Sequence, residues 1–161
     1  MSSLGVHFAL STAQERQLLA AGDDDEVMQL VEDIEEAGET PHVDTDKAWD
    51  AMHRCLSDGT LDLDAGEYPL SHAVLGGQQM LDGDDYSVIY VTAEQVHDVA
   101  TALQTVTQAW LRDRYDELDE ADYGPRSDED FEYTWENFGD VTGFFAESAD
   151  QDRAVIFTVD N

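Results

Sequence analysis

The sequence predicts an α+β fold: a small mixed or antiparallel sheet of about three strands packed with about four to six helices in a single domain spanning residues 1–161. Three observations carry this reading. Short β-patterned runs open, punctuate and close the chain, and amphipathic runs at helical spacing lie between them. With 161 residues and 42% hydrophobic content, the chain is large enough to bury one core. No internal repeat, low-complexity linker or shift in composition divides it.

Val6, Phe8 and Leu10 alternate with His7 and Ala9, the period-2 pattern of a half-buried strand. Thr12 with Glu15 three residues later forms a capping box for a helix from Ala13 to Ala20, ending before Gly22. The triplet Asp23-Asp24-Asp25 suits the positive end of a second helix, in which Val27, Leu30, Val31 and Ile34 recur on one face. Asp44 or Thr45 is expected to cap a third helix, whose stripe is Ala48, Trp49, Met52, Cys55 and Leu56. Thr60 to Pro69 reads as an acidic loop. Leu70 to Leu75 reads as a short helix or ordered loop, and Gly76-Gly77 marks a turn or a close backbone approach. Tyr86 to Val91 and Ala154 to Val159 are nearly uninterrupted apolar runs, as expected of strands covered on both faces. Between them, Thr92 and Gln95 cap an apolar run to about Tyr115, with Thr105 marking a break into two helices. After an acidic connection containing Gly124-Pro125, the aromatics Phe131, Trp135, Phe138 and Phe145 repeat at helical spacing. The stripe reads as core; Tyr133 and Phe144 fall off it, and a flanking face for a partner is the alternative reading.

The charge balance excludes several partners. Seven Lys plus Arg stand against 38 Asp plus Glu, a net −31. Binding to nucleic-acid phosphates or an anionic membrane surface relies on cations that displace counterions, so neither partner is expected. Cys55 is the single cysteine, which leaves no intrachain disulfide and no cysteine zinc cage. The first ten residues lack a basic and apolar leader pattern, and no apolar run approaches the ~20 residues of a membrane span. A reducing cytoplasm is the simplest setting.

Motifs for specific chemistry are few. The aspartate-rich stretch from Asp58 to Glu67 fails as a calcium loop: counted from Asp62, the fifth ligand position is Gly66, and counted from Thr60, the sixth is Ala65. Asp82-Gly83-Asp84-Asp85 fails because its fifth position is Tyr86. Five histidines show no His-x-x-x-His pair, and the common nucleotide-binding and hydrolase signatures are absent. No cofactor and no metal site is expected. One constellation remains: Trp49 and His53 on one helix, with Cys55 nearby and Ser71-His72 in the next ordered piece. A serine or cysteine nucleophile beside a histidine base is one use of these residues. Packing of Cys55 and loop-holding hydrogen bonds from the histidines are the other.

The segments Asp46-Lys47-Ala48-Trp49-Asp50-Ala51-Met52-His53 and Pro69-Leu70-Ser71-His72-Ala73-Val74-Leu75-Gly76-Gly77 carry a resemblance, together with Tyr90-Val91-Thr92-Ala93-Glu94-Gln95-Val96 and Leu111-Arg112-Asp113-Arg114-Tyr115. In order and spacing they resemble the YfbM-like family of bacterial proteins, the domain-of-unknown-function family 1877. The resemblance implies one cytoplasmic α+β domain and assigns no activity, cofactor or catalytic residue. It makes the region around Trp49, His53, Ser71 and His72 the candidate pocket.

Three functional readings follow. The first is a non-catalytic binding or accessory protein with a strongly acidic surface. The second is a small hydrolase or transferase with a cleft near Trp49, His53, Ser71 and His72. The third is an acidic inhibitor or immunity-type protein that engages a basic protein partner by electrostatic steering. Acidity also suits a saline environment, where screening relieves self-repulsion. The melting temperature near pH 7 is therefore expected to be higher in about 1 M NaCl than in about 10 mM. A flat salt series would mean that the charges are compensated locally.

Overall fold

The computed structural model describes residues 4–82 and 86–160, so Gly83, Asp84 and Asp85 of the acidic turn lie outside the described residues. Five strands form one sheet in the order β2-β1-β5-β4-β3, every neighbouring pair antiparallel. They are β1 (Leu4–Ala9), β2 (His42–Asp46), β3 (Gln78–Asp82), β4 (Tyr86–Val91) and β5 (Val155–Asp160). Three of these match the runs read from sequence. β2 and β3 are additions, and both are edges: each pairs with a single neighbour and carries mostly polar residues, His-Val-Asp-Thr-Asp and Gln-Gln-Met-Leu-Asp. An edge strand needs only one apolar face, so neither leaves a strong pattern.

β5 holds the centre. It pairs with β1 from Leu4↔Asp160 to Ala9↔Val155 and with β4 from Tyr86↔Asp160 to Val91↔Val155. Successive side chains of a strand point to opposite faces, so β5 feeds two cores. Ile156 joins Phe8, Val88 and Tyr90 beneath α1 (Thr12–Ala20) and α2 (Asp24–Ala37). Val155, Phe157 and Val159 join Ala9, Ile89 and Val91 on the other face. There they meet α3 (Trp49–Leu56), α4 (Ala93–Leu103), α5 (Gln108–Asp116) and α7 (Asp128–Asp150), with a one-turn α6 (Glu120–Tyr123) on the connection before α7. The sheet is therefore the middle layer of three.

Caps explain where the helices begin. Ser11, one residue earlier than the expected Thr12, caps α1 in a reciprocal box with Gln14. Both Ser11 with Gln14 and Thr12 with Glu15 satisfy the sequence pattern; Glu15 instead accepts a 2.5 Å hydrogen bond from the Tyr90 hydroxyl across the sheet face. Asp23 caps α2, as the acidic triplet suggests. The expected cap of α3 at Asp44 or Thr45 is overturned. Those residues belong to β2, the Thr45 hydroxyl donates to the Gly5 carbonyl at 2.7 Å, and α3 starts after Ala48 with no side-chain cap. Thr92 caps α4 through the box with Gln95, and after the break at Thr105 the Thr107 hydroxyl caps α5. Gly77 allows the close approach expected of the glycine pair, because a Cβ there would lie 2.5 Å from the Tyr90 carbonyl oxygen. Phe144 is buried in the core rather than presented to a partner, and the Tyr133 hydroxyl donates to Asp46 Oδ2 at 2.6 Å.

His7, on β1, is fully enclosed by Phe144, Phe145 and Phe157, with ring centroids 6.0, 5.7 and 4.6 Å away. Its Nε2 bonds the Ala73 carbonyl at 2.7 Å, and its buried Nδ1 has no partner among the described residues. Burial in this aromatic cage pulls its pKa down to about 4. The unfolded imidazole takes its proton near pH 6.5, the folded one only near 4. Acidification through that window therefore favours unfolding by up to on the order of 3 kcal/mol. Denaturant midpoints of the native protein and His7→Gln, taken at about pH 7 and about pH 4.5, are expected to show a smaller acid loss in the variant. Equal losses would mean that the cage ionises as readily folded as unfolded.

Candidate functional site

α3 presents one apolar side to the sheet. Trp49 packs on Phe157 with ring centroids 5.9 Å apart, in space left open by Gly5, where a Cβ would meet Trp49 Cδ1 at 2.7 Å. Cys55 is completely buried and its thiol is pushed up to about 12, chiefly by that burial. Such a thiol carries almost no thiolate near neutral pH and is not a nucleophile. His53 is also buried, its Nε2 set 3.1 Å from the Asp62 carbonyl, and burial lowers its pKa. Its own carbonyl accepts the Ser57 hydroxyl at 2.7 Å. His53 thus ties the acidic loop to the helix.

Ser71 and His72 lie in a 3₁₀ turn, Leu70–Ala73. Ser71 Oγ and His72 Nδ1 are 3.1 Å apart, so the structure brings this pair together. Burial alone lowers the His72 pKa, and among the described residues no carboxylate bonds the ring. The Tyr68 ring meets it edge-on at 4.8 Å. Ser71 is only 4% exposed, which withholds its hydroxyl from solvent. Among the described residues, no group of three or more His, Cys, Asp or Glu side chains is placed to hold a metal ion.

A cleft of about 620 Å³ opens beside these residues, between the end of α3, the loop from 58 to 70, and α5. Its wall includes Arg54, Ser57, Gly66, Leu70, Trp110 and Arg114, while Trp49, His53, Ser71 and His72 are not part of it. The two are offset by one residue at Arg54 and Leu70. Gly66 lines the cleft: it sits at φ +85°, and a Cβ there would lie 2.6 Å from Ser57 Cβ and 3.3 Å from Ser71 Cβ. The loop can press between α3 and the 3₁₀ turn only because this residue has no side chain.

Two arginines, missed as site residues in the sequence, shape the cleft. Arg54 is almost buried and bonds Asp50 at 2.6 Å, Asp122 at 2.5 Å and the Gly59 carbonyl at 3.3 Å. Hydrogen bonds and charge from the two aspartates hold its pKa up against the desolvation that would lower it. Arg114 instead donates to the carbonyls of Cys55, at 3.1 Å, and Ser57, and its guanidinium lies 5.0 Å over the Trp110 ring. With only seven cations in the chain, each arginine on a helix was itself a signal. Behind Arg54, Asp130 Oδ2 accepts from both Tyr115 and Tyr123 at 2.6 Å, fastening α5 and α6 to α7.

An antiparallel sheet between two helical layers, with a mixed-charge cleft at one end of α3, defines an α+β domain and no reaction class. The family model of a domain of unknown function, DUF1877, matches residues 1–158, and the chain belongs to that family. Its fold is similar to the crystal structure of a protein of unknown function, YfbM from Escherichia coli: the TM-score is 0.70 at 19% identity, over 97% of this chain and 99% of that one. No curated protein matches the sequence. No helix among the described residues is long and apolar enough to cross a membrane.

The Gly66 wall is open to a direct check. Gly66→Ala combines a left-handed backbone with a clash against Ser57, whereas Gly38→Ala, at φ +67° with open space around it, has only the backbone strain. Gly38→Ala is expected to cost about 1 kcal/mol and Gly66→Ala at least twice that in chemical denaturation. Equal costs would place the loop farther from α3.

Proposed function

We propose that this protein is a non-catalytic binding protein and that the cleft between α3, the 58 to 70 loop and α5 is its recognition site. The observation that carries the reading is the employment of the reactive groups. His53 holds Asp62, Cys55 is sealed in the core, and Ser71 is covered, so none faces the cleft as a poised nucleophile or base. What faces it is binding chemistry: the Trp110 indole, Leu70 and two guanidinium groups. The acidic shell, at net −31, suits encounter with cationic protein surfaces and disfavours nucleic acid and anionic membranes.

The rival reading, a small hydrolase or transferase, draws its support from the 3.1 Å Ser71–His72 contact. A fragment library screened by ¹H–¹⁵N correlation spectra, with turnover of chromogenic acyl and phosphate esters measured in parallel, separates the two. Binding predicts a saturable shift of the Trp110 indole N–H, assigned with Trp110→Phe, and no turnover above buffer. Turnover that Ser71→Ala abolishes would establish the hydrolase instead.

A further inference from the structure

Arg114 stands apart from the other arginines of this face. Arg54, Arg112 and Arg126 each hold at least one carboxylate. Arg114, in a chain with 38 acids, has no carboxylate partner among the described residues. Two of its nitrogens are spent on the carbonyls of Cys55 and Ser57, which fix the guanidinium plane at the end of α3. Its Nη1 makes no bond among the described residues and is not a buried orphan, so it retains a donor edge in the half-buried wall of the cleft. A planar guanidinium anchored on one side and open on the other is suited to receive a carboxylate.

The mouth has the opposite sign. Glu67 and Glu117 line the same cleft, are exposed, and make no side-chain bond among the described residues, with Asp58 beside them. Leu56, Leu70, Leu118 and the Trp110 indole supply apolar walls between the two charges. The net charge then decides the ligand class. A free anion is repelled by a −31 surface before it reaches Arg114, and a free cation meets the unpaired Arg114 guanidinium inside the cleft. A molecule that is neutral overall but carries both charges escapes each penalty.

We propose that the cleft binds a small zwitterion with an apolar body, an α-amino acid or a short peptide of that character. Its carboxylate meets Arg114, its ammonium lies toward Glu67 and Glu117, and its side chain rests on Trp110 and Leu70. A volume of about 620 Å³ accommodates a ligand of this size. The assignment rests on the cleft being a binding site and goes beyond it in naming the ligand.

The probes are L-phenylalanine and its two singly charged analogues, N-acetyl-L-phenylalanine and L-phenylalaninamide, titrated against the Trp110 indole N–H signal. The free amino acid is expected to give a saturable shift and each blocked analogue to bind at least about tenfold more weakly. Arg114→Gln should weaken L-phenylalanine by about tenfold or more. Because that variant also loses the contacts to α3, Glu67→Gln/Glu117→Gln is the companion: both side chains are exposed, so its fold should be unchanged, and it too should bind more weakly. Equal affinity for all three probes, or native affinity in the double variant, would overturn the zwitterion assignment. If no probe shifts Trp110 but library fragments do, the zwitterion is wrong and the cleft remains a binding site. If nothing shifts it, both readings fall.

Discussion

The central placement of β5 is the constraint on which the rest of the structure depends. Five of its six residues are buried, because it is flanked by β1 and β4 and covered on both faces. A strand so placed has to be apolar on both faces and to satisfy its backbone bonds with two neighbours, and residues 155–159 meet both demands save for Thr158, whose hydroxyl donates to the Val6 carbonyl. It joins the first strand to the fourth and presents alternate side chains to the two helical layers. Without it the β1-β2 and β3-β4 pairs are separate ribbons, each too small to stand alone in water.

The charge pattern has a similar division of labour. Carboxylates are spread over helix starts and loops, where the positive ends of helices and solvent accommodate them. Three of the seven cations are placed where elements converge. Arg54 ties α3 to the α6 connection, Arg114 ties α5 to the end of α3, and Arg112 joins α5 to the start of α7 while lying 5.0 Å over Phe131. One end of the helical layer is therefore held by arginine forks bridging elements that hydrophobic burial already brings near. The cleft lies among those bridges.

What was legible in the sequence follows the strength of its periodicities. β4, β5 and the stripes of α2 and α4 have apolar patterns dictated by large buried faces, and they read correctly. β2 and β3 did not, since an edge strand with one modest apolar face is nearly indistinguishable from a polar loop. The start of α3 was misplaced because Asp44 and Thr45 have capping chemistry but spend it in β2, where Thr45 reaches Gly5. Ser71 and His72 are hydrogen-bonded neighbours, but the pocket residues named from the sequence lie beside the cleft and not in its wall. The guanidinium groups of the cleft escaped because a helical arginine looks like an ordinary solvated residue until tertiary structure brings Trp110, Ser57 and Asp122 around it.

Cys55 gives the molecule an internal gauge of its own cohesion. As the chain's single thiol, enclosed where α3 packs against the neighbouring helices and held protonated, it stays inert towards oxidants and alkylating reagents while the native packing lasts. Only an excursion that lifts α3 away from the helices around it or unfolds the domain exposes it. The rate at which it reacts therefore counts openings of the helical layer, one site per molecule, under conditions where nearly every copy is folded.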